Sequence, residues 1–219
     1  MSKKERLKNS YNVKIKEYKD GRIKIFEYDR DIYSLENNSS SELKSEVIKQ
    51  FKSRNSGVIT ENNLNRSYGI LIDLALQNYD SFKTFITLTF KENITDLTVA
   101  NKAFANWTRQ IKRQFNDFKY LGVPEFQKRG AVHYHLMTNL EINSDLITLQ
   151  KDKSNMFDVK YWNNGFSSVF DLSLTNEHFS VASYLTKYFY KDIDNRLFGR
   201  KKVLSSRNLD KPNEKRLQN

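Results

Sequence analysis

Residues 125–140, EFQKRGAVHYHLMTNL, decide the fold. Apolar and polar residues alternate on both sides of Lys128-Arg129-Gly130, which reads as two strands joined by a basic three-residue turn. Side chains at i and i+2 of a strand share a face, so His133 and His135 point one way and Val132, Tyr134 and Leu136 the other. Counting back across the turn sets Gln127 against Ala131 and Glu125 against His133. Gly130 then takes the left-handed position that such a loop favours. Directly opposed side chains have Cβ atoms about 4.5–5.5 Å apart, so one carboxylate and two imidazoles converge on one side of one hairpin. A two-residue loop would shift the register by one and turn Glu125 to the wrong face. Imidazole with carboxylate suits a divalent first-row metal such as Mn²⁺ or Zn²⁺, with Mg²⁺ as the cellular alternative. The competing reading is a hydrogen-bonded structural histidine pair. Gln127, next on the Glu125 face, is a further candidate ligand, and Arg129 in the turn is a candidate DNA contact.

Upstream, residues 82–90, FKTFITLTF, alternate as a strand, with Phe85, Thr87 and Thr89 on one face and Ile86, Leu88 and Phe90 on the other. Residues 93–118 carry Leu97, Ala100, Phe104, Trp107, Ile111, Phe115 and Phe118 at steps of three or four, the spacing of a helix with one buried stripe. Arg109, Lys112 and Arg113 lie off that stripe, either tracking phosphates or forming a solvated charged face. A further helix is expected from Thr60 to about Asn78, and a short one over residues 41–51. At the N-terminal end, residues 11–28 alternate around Lys19-Asp20-Gly21, a hairpin signal. Downstream, residues 144–150 have a helical pattern, and strands are expected over 157–162 and 166–172 on either side of Asn163-Asn164-Gly165.

Residues 184–191, YLTKYFYK, supply nucleophiles. Tyr184 and Tyr188 share a helical face at i and i+4. Lys187 and Lys191 each follow a tyrosine by three, so each phenol has an ammonium one turn away. A phenol, with a pKa of about 10, is a weak nucleophile until deprotonated, and a nearby cation favours the phenolate. The competing reading is a buried stripe of Val181, Tyr184, Leu185, Tyr188 and Phe189.

The chain has 219 residues and a formal charge of +11, which points to a polyanionic partner, most simply nucleic acid. Residues 200–219 hold seven Lys or Arg against two acids, among them Arg200, Lys201 and Lys202, and read as a DNA-contacting or disordered tail. Cysteine is absent, which excludes disulfides and thiolate metal sites. No apolar run approaches the roughly 18 residues of a membrane span. The start, MSKKERLKNS, lacks the apolar core of a signal peptide, so a cytoplasmic protein is expected. No GxxxxGK[ST] stretch marks a fused P-loop helicase.

Taken together, these residues resemble the HUH endonucleases, specifically the phage-type rolling-circle replication initiators. His133-Tyr134-His135 is similar to the His-hydrophobic-His motif, and Glu125 stands eight positions before it. Residues 85–90 look like the family's first strand motif, and Tyr184-Leu185-Thr186-Lys187-Tyr188 resembles a two-tyrosine motif. The resemblance covers about residues 60–207. It implies an α+β fold, a central antiparallel sheet flanked by helices (an HUH/RRM-like palm), with residues 1–59 as an N-terminal hairpin extension and 208–219 as a basic tail. It implies a divalent metal, Mn²⁺ or Mg²⁺, at Glu125, His133 and His135, and tyrosine attack on single-stranded origin DNA. The expected products are a 5′-phosphotyrosyl protein and a 3′-OH for a host polymerase, with a host helicase as a second partner. The alternatives are a relaxase or transposase of the same chemistry, a non-catalytic nucleic-acid-binding module, and a two-His, one-carboxylate iron enzyme.

Overall fold

A computed structural model describes residues 10–33, 61–150, 157–174, 185–186, 189 and 200–218. The chain divides into two compact units, one made of Met1–Val58 with Pro212–Asn219, the other of Ile59–Lys211.

The larger unit is α+β. In chain order it contains α1 (Glu61–Gln77), β3 (Thr84–Phe90), α2 (Leu97–Gln114), β4 (Tyr120–Phe126), β5 (Val132–Thr138), β6 (Ile147–Leu149), β7 (Phe157–Val159), β8 (Gly165–Asp171) and β9 (Leu204–Ser205). The seven strands form one sheet in the order β6-β7-β8-β3-β5-β4-β9, and every pairing is antiparallel. The long central strands β3 and β5 follow from β-branched and aromatic residues, which suit a pleated surface buried on both sides. Helix α2 is shorter at both ends than its apolar stripe. The Asp96 carboxylate accepts the Thr98 N–H at 2.7 Å and starts it, and the Phe115 N–H bonds the Ile111 carbonyl and ends it.

One face of the sheet packs on α2. Leu97, Ala100, Phe104, Trp107 and Ile111 meet Ile86, Leu88, Phe90, Phe126, Val132, Tyr134 and Leu136 in one apolar cluster. The Phe104 and Tyr134 rings stack at 4.7 Å, and the Tyr134 hydroxyl donates to Asn101 Oδ1 at 2.8 Å. The strand alternation places Phe85, Leu121, Val123 and Met137 on the other face, and these are buried too. Helix α1 contributes its own buried stripe, Leu71, Leu74, Ala75 and Leu76, and contacts β4.

The decisive turn has the counted length. Glu125 opposes His133 and Phe126 opposes Val132. The Gln127 N–H donates to the Ala131 carbonyl and the Gly130 N–H to the Gln127 carbonyl, with φ of 87° at Gly130. A Cβ at this left-handed position costs about 1–2 kcal/mol. Gly130→Ala is therefore expected to lower the unfolding free energy by that amount, seen as a lower urea midpoint with an unchanged m-value. Gly130→Asn is expected to lose less, because asparagine tolerates the conformation better.

One sequence expectation fails in this unit. Residues 144–150 do not form a helix: Ile147–Leu149 is strand β6, paired with β7 from Ile147↔Val159 to Leu149↔Phe157. The segment is too short to hold a helix alone, and a neighbouring strand satisfies its backbone instead. Of the 181–191 helix, Leu185, Thr186 and Phe189 are helical; the remainder, and the helix expected over 41–51, lie outside the described residues.

The smaller unit is a three-stranded antiparallel sheet in the order β10-β1-β2, built from β1 (Ser10–Glu17), β2 (Ile23–Tyr33) and β10 (Asn213–Leu217). Gly21, at φ 83°, turns the expected hairpin. Its third strand comes from the segment that the sequence reads as a basic tail. Ion pairing of Lys215 with Glu17 at 2.7 Å accompanies the backbone ladder there.

Candidate nucleic-acid and metal site

The two histidines stand on β5, which is flanked by β4 and β3. Cross-strand registers assemble three rows on the face opposite α2. The first runs Glu125, His133, Thr89, Phe166; the second Val123, His135, Thr87, Ser168; the third Leu121, Met137, Phe85, Phe170. Glu125, His133 and His135 are 7%, 6% and 5% exposed. Toward β8 the same face opens: Phe166 is 68% and Phe170 52% exposed. A buried polar cluster thus lies two strands from a bare aromatic surface.

Within the cluster, His135 Nε2 and Glu125 Oε2 lie 2.5 Å apart, a buried imidazole–carboxylate hydrogen bond. The contact is diagonal, since Glu125 opposes His133, and diagonal neighbours are within reach of side chains this long. Thr87 Oγ1 lies 3.3 Å from His135 Nδ1, so both ring nitrogens are engaged. The Phe85 ring stacks on the His135 imidazole at 6.0 Å and fixes its plane. The two imidazole centroids are 6.3 Å apart. Among the described residues, no three His, Asp or Glu side chains are gathered closely enough to hold a metal ion as they stand. The donor chemistry nevertheless suits one: two imidazoles and a carboxylate share a face, and the shortest contact joins two groups that both bind divalent cations.

Tyr134, between the histidines in sequence, faces α2. Burial pushes its phenol well above the usual tyrosine range, and its hydroxyl is committed to Asn101. It is a structural residue and not a nucleophile. Tyr120 is likewise raised by burial. Tyr184, Lys187, Tyr188 and Lys191, the expected nucleophiles and their cations, lie outside the described residues.

The basic residues fall in several places. Arg129 donates to Gln127 Oε1 at 3.1 Å and to the Phe90 carbonyl at 3.2 Å, bracing the turn against the end of β3. The Gln127 amide oxygen is thereby turned to Arg129. Arg109 and Lys112 line a cleft of about 480 Å³ with Thr108, Ser205, Ser206 and Arg207. That cleft adjoins α2, so the sheet lies between it and the histidines. Arg113 is exposed on the same helix. Arg200 and Lys201 are exposed and Lys202 half-buried, and burial lowers the Lys202 pKa. All three precede β9, which pairs antiparallel with β4 through Leu121 and Gly122, so they lead toward the Glu125 end of β4.

Sequence reasoning did not single out Phe166, Phe170 or Thr87. The signal for the phenylalanines was present: Phe166, Ser168 and Phe170 alternate on one strand face. What the alternation could not give was which strand lay beside them, and hence that this face is the histidine face.

A model of the ORF2-type replication-associated protein family matches residues 83–193, just over half of the chain. The chain belongs to that family. The match begins just before β3 and runs through the histidine hairpin and the 184–191 tyrosine stretch. Membership makes this a replication-associated protein. No curated protein and no solved structure matches the chain. Among the described residues of this family member, no helix is long and apolar enough to cross a membrane.

Proposed function

We propose that this replication-associated protein is an initiator of the HUH type that nicks single-stranded origin DNA. The observation that carries the reading is the shared buried face of Glu125, His133 and His135, opening along the same rows onto exposed aromatics. The phenolate oxygen of Tyr184 attacks the scissile phosphorus, the P–O3′ bond breaks, and the leaving 3′ oxygen takes up a proton. The product is a 5′-phosphotyrosyl linkage and a free 3′-OH, and the phosphodiester energy is retained, so no ATP is needed. Tyr188 performs the second transfer that ends a replication cycle. Lys187 and Lys191 stabilise the phenolates. Glu125, His133 and His135 would hold Mn²⁺ or Mg²⁺, which when bound draws electron density from a phosphate oxygen. Phe166 and Phe170 offer π-faces on which successive bases of a single strand stack, a sequence-tolerant contact. Arg200 and Lys201 contact phosphates near the Glu125 end of β4. The 3′-OH is extended by a host polymerase behind a host helicase, in the host cytoplasm.

A non-catalytic binding module would account for the open phenylalanines. It gives no reason to bury two histidines against a glutamate on the same face. The two readings separate with EDTA: the nuclease keeps single-strand binding but loses cleavage, and Mn²⁺ restores it. Cleavage that persists unchanged in EDTA contradicts the metal, and absence of cleavage under every divalent ion favours the module.

Tyr134 tests the assignment from the other side. Tyr134→Phe leaves a buried Asn101 amide without its donor and is expected to cost about 1 kcal/mol in thermal unfolding, with nicking within about two-fold of the unaltered protein.

A further inference from the structure

The smaller unit has two unlike faces. From the registers, Lys14, Lys16, Lys24, Phe26, Glu214 and Arg216 share one face. That face sets four cations against one carboxylate. The opposite face carries Val13, Ile15, Ile23, Ile25 and Leu217, with Glu17 and Glu27 against Lys215. Charge is therefore sorted by face, and the excess is not an average property of a basic chain.

The cations are also concentrated. The ammonium groups of Lys14, Lys24 and Lys16 lie 4.9, 5.2 and 5.6 Å from the centroid of the single Phe26 ring. Lys16 and Lys24 are directly opposed across β1 and β2. Like charges at opposed positions repel, and the attraction of one benzene face for three ammonium groups only partly offsets this. Such a cluster is relieved by an anion with several charges spread over its length. Arg216 extends the row, its guanidinium 5.2 Å from the Tyr11 ring.

We infer that this face is a second DNA-binding surface, which holds the phosphate backbone of duplex DNA without reading its sequence. The choice of DNA as the polyanion rests on the replication reading; the presence of an anion-binding face does not. Duplex is favoured over single strand because ammonium groups overlie Phe26, which leaves that ring closed to stacking bases. Phosphate contact alone is what a duplex backbone offers and what gives sequence-independent affinity. The surface lets the protein hold duplex DNA while the histidine face of the other unit works on a single strand.

The test uses the full chain and a labelled duplex of arbitrary sequence, titrated by fluorescence anisotropy over a range of salt. K14Q/K16Q/K24Q is expected to bind at least about 10-fold more weakly at low salt. The slope of log K against log salt is expected to fall by roughly two to three, near 0.9 for each phosphate that the variant no longer neutralises. K14R/K16R/K24R keeps the charge and is expected to bind as the unaltered protein does, with matching far-ultraviolet circular dichroism for all three proteins. Nicking of a short single-stranded oligonucleotide is expected to be unchanged in both variants, so this inference and the nuclease reading fail separately. Unchanged duplex affinity and slope in the glutamine variant overturns the inference. So does a loss confined to single strands, or an equal loss in the arginine variant.

Discussion

Replacing His135 by glutamine is expected to reduce nicking of a single-stranded origin by roughly 10²–10⁴-fold, the several kcal/mol that a metal acting on a phosphoryl oxygen contributes to the transition state. Binding of the same oligonucleotide should change only a few-fold. His135 is the hub of the site: Nε2 meets Glu125 at 2.5 Å, Nδ1 lies 3.3 Å from Thr87 Oγ1, and Phe85 stacks on the ring. Each 1.36 kcal/mol of lost stabilisation is about a factor of ten in rate. Glutamine fills the site and retains an amide that can meet Glu125, so it isolates chemistry from collapse. Alanine is less informative, because it strands a buried carboxylate and destabilises the sheet. The rate comes from single-turnover cleavage, with the urea midpoint measured in parallel. A His135→Gln protein that folds and cleaves normally removes His135 from the reaction.

Tyr184→Phe/Tyr188→Phe is expected to abolish the protein–DNA adduct altogether, leaving oligonucleotide binding and the unfolding midpoint essentially unchanged. Phenylalanine keeps the ring and removes the one atom that forms the covalent bond. With only Tyr184→Phe, the first nick is expected to disappear or to fall to a residual level supplied by Tyr188. With only Tyr188→Phe, the first nick should survive and the closing transfer should fail. Denaturing gels of labelled origin DNA, with and without a second strand to accept transfer, separate these outcomes. Because each tyrosine has a lysine three residues on, Lys187→Gln is a useful companion. It is expected to shift the pH dependence of nicking upward, since the phenolate is deprived of its nearest cation.

The sequence was most informative where a count fixed the geometry. Turn length, the i and i+2 rule and a single glycine were enough to place Glu125 opposite His133, and the sheet has that register. The same counting could not foresee that the glutamate would reach diagonally to His135, because that choice depends on Thr87 and Phe85 arriving from β3. The α2 stripe was legible from its spacing, although Asp96 and Phe115 set ends well inside it. Strand β6 was misread because three residues carry no period of their own; pairing with β7 decides them. Strand β10 was hidden for a related reason. Its sequence, NEKRL, is polar and exposed, and the backbone of β1 makes it a strand. Phe166 and Phe170 alternate plainly in the sequence, yet their meaning came only from the neighbour, β3, that joins them to the histidine rows.

The most direct measurement is to trap the covalent adduct. The full chain is incubated with a single-stranded origin oligonucleotide and Mn²⁺, denatured, digested with trypsin and read by mass spectrometry. Cleavage after Lys187 places Tyr184 and Tyr188 on different peptides, so the attachment point is resolved. The expected result is a nucleotide mass on the peptide ending at Lys187, with a second population on Tyr188, and neither formed in EDTA. Attachment to a tyrosine outside residues 184–188, or cleavage with no covalent protein product, would contradict the account.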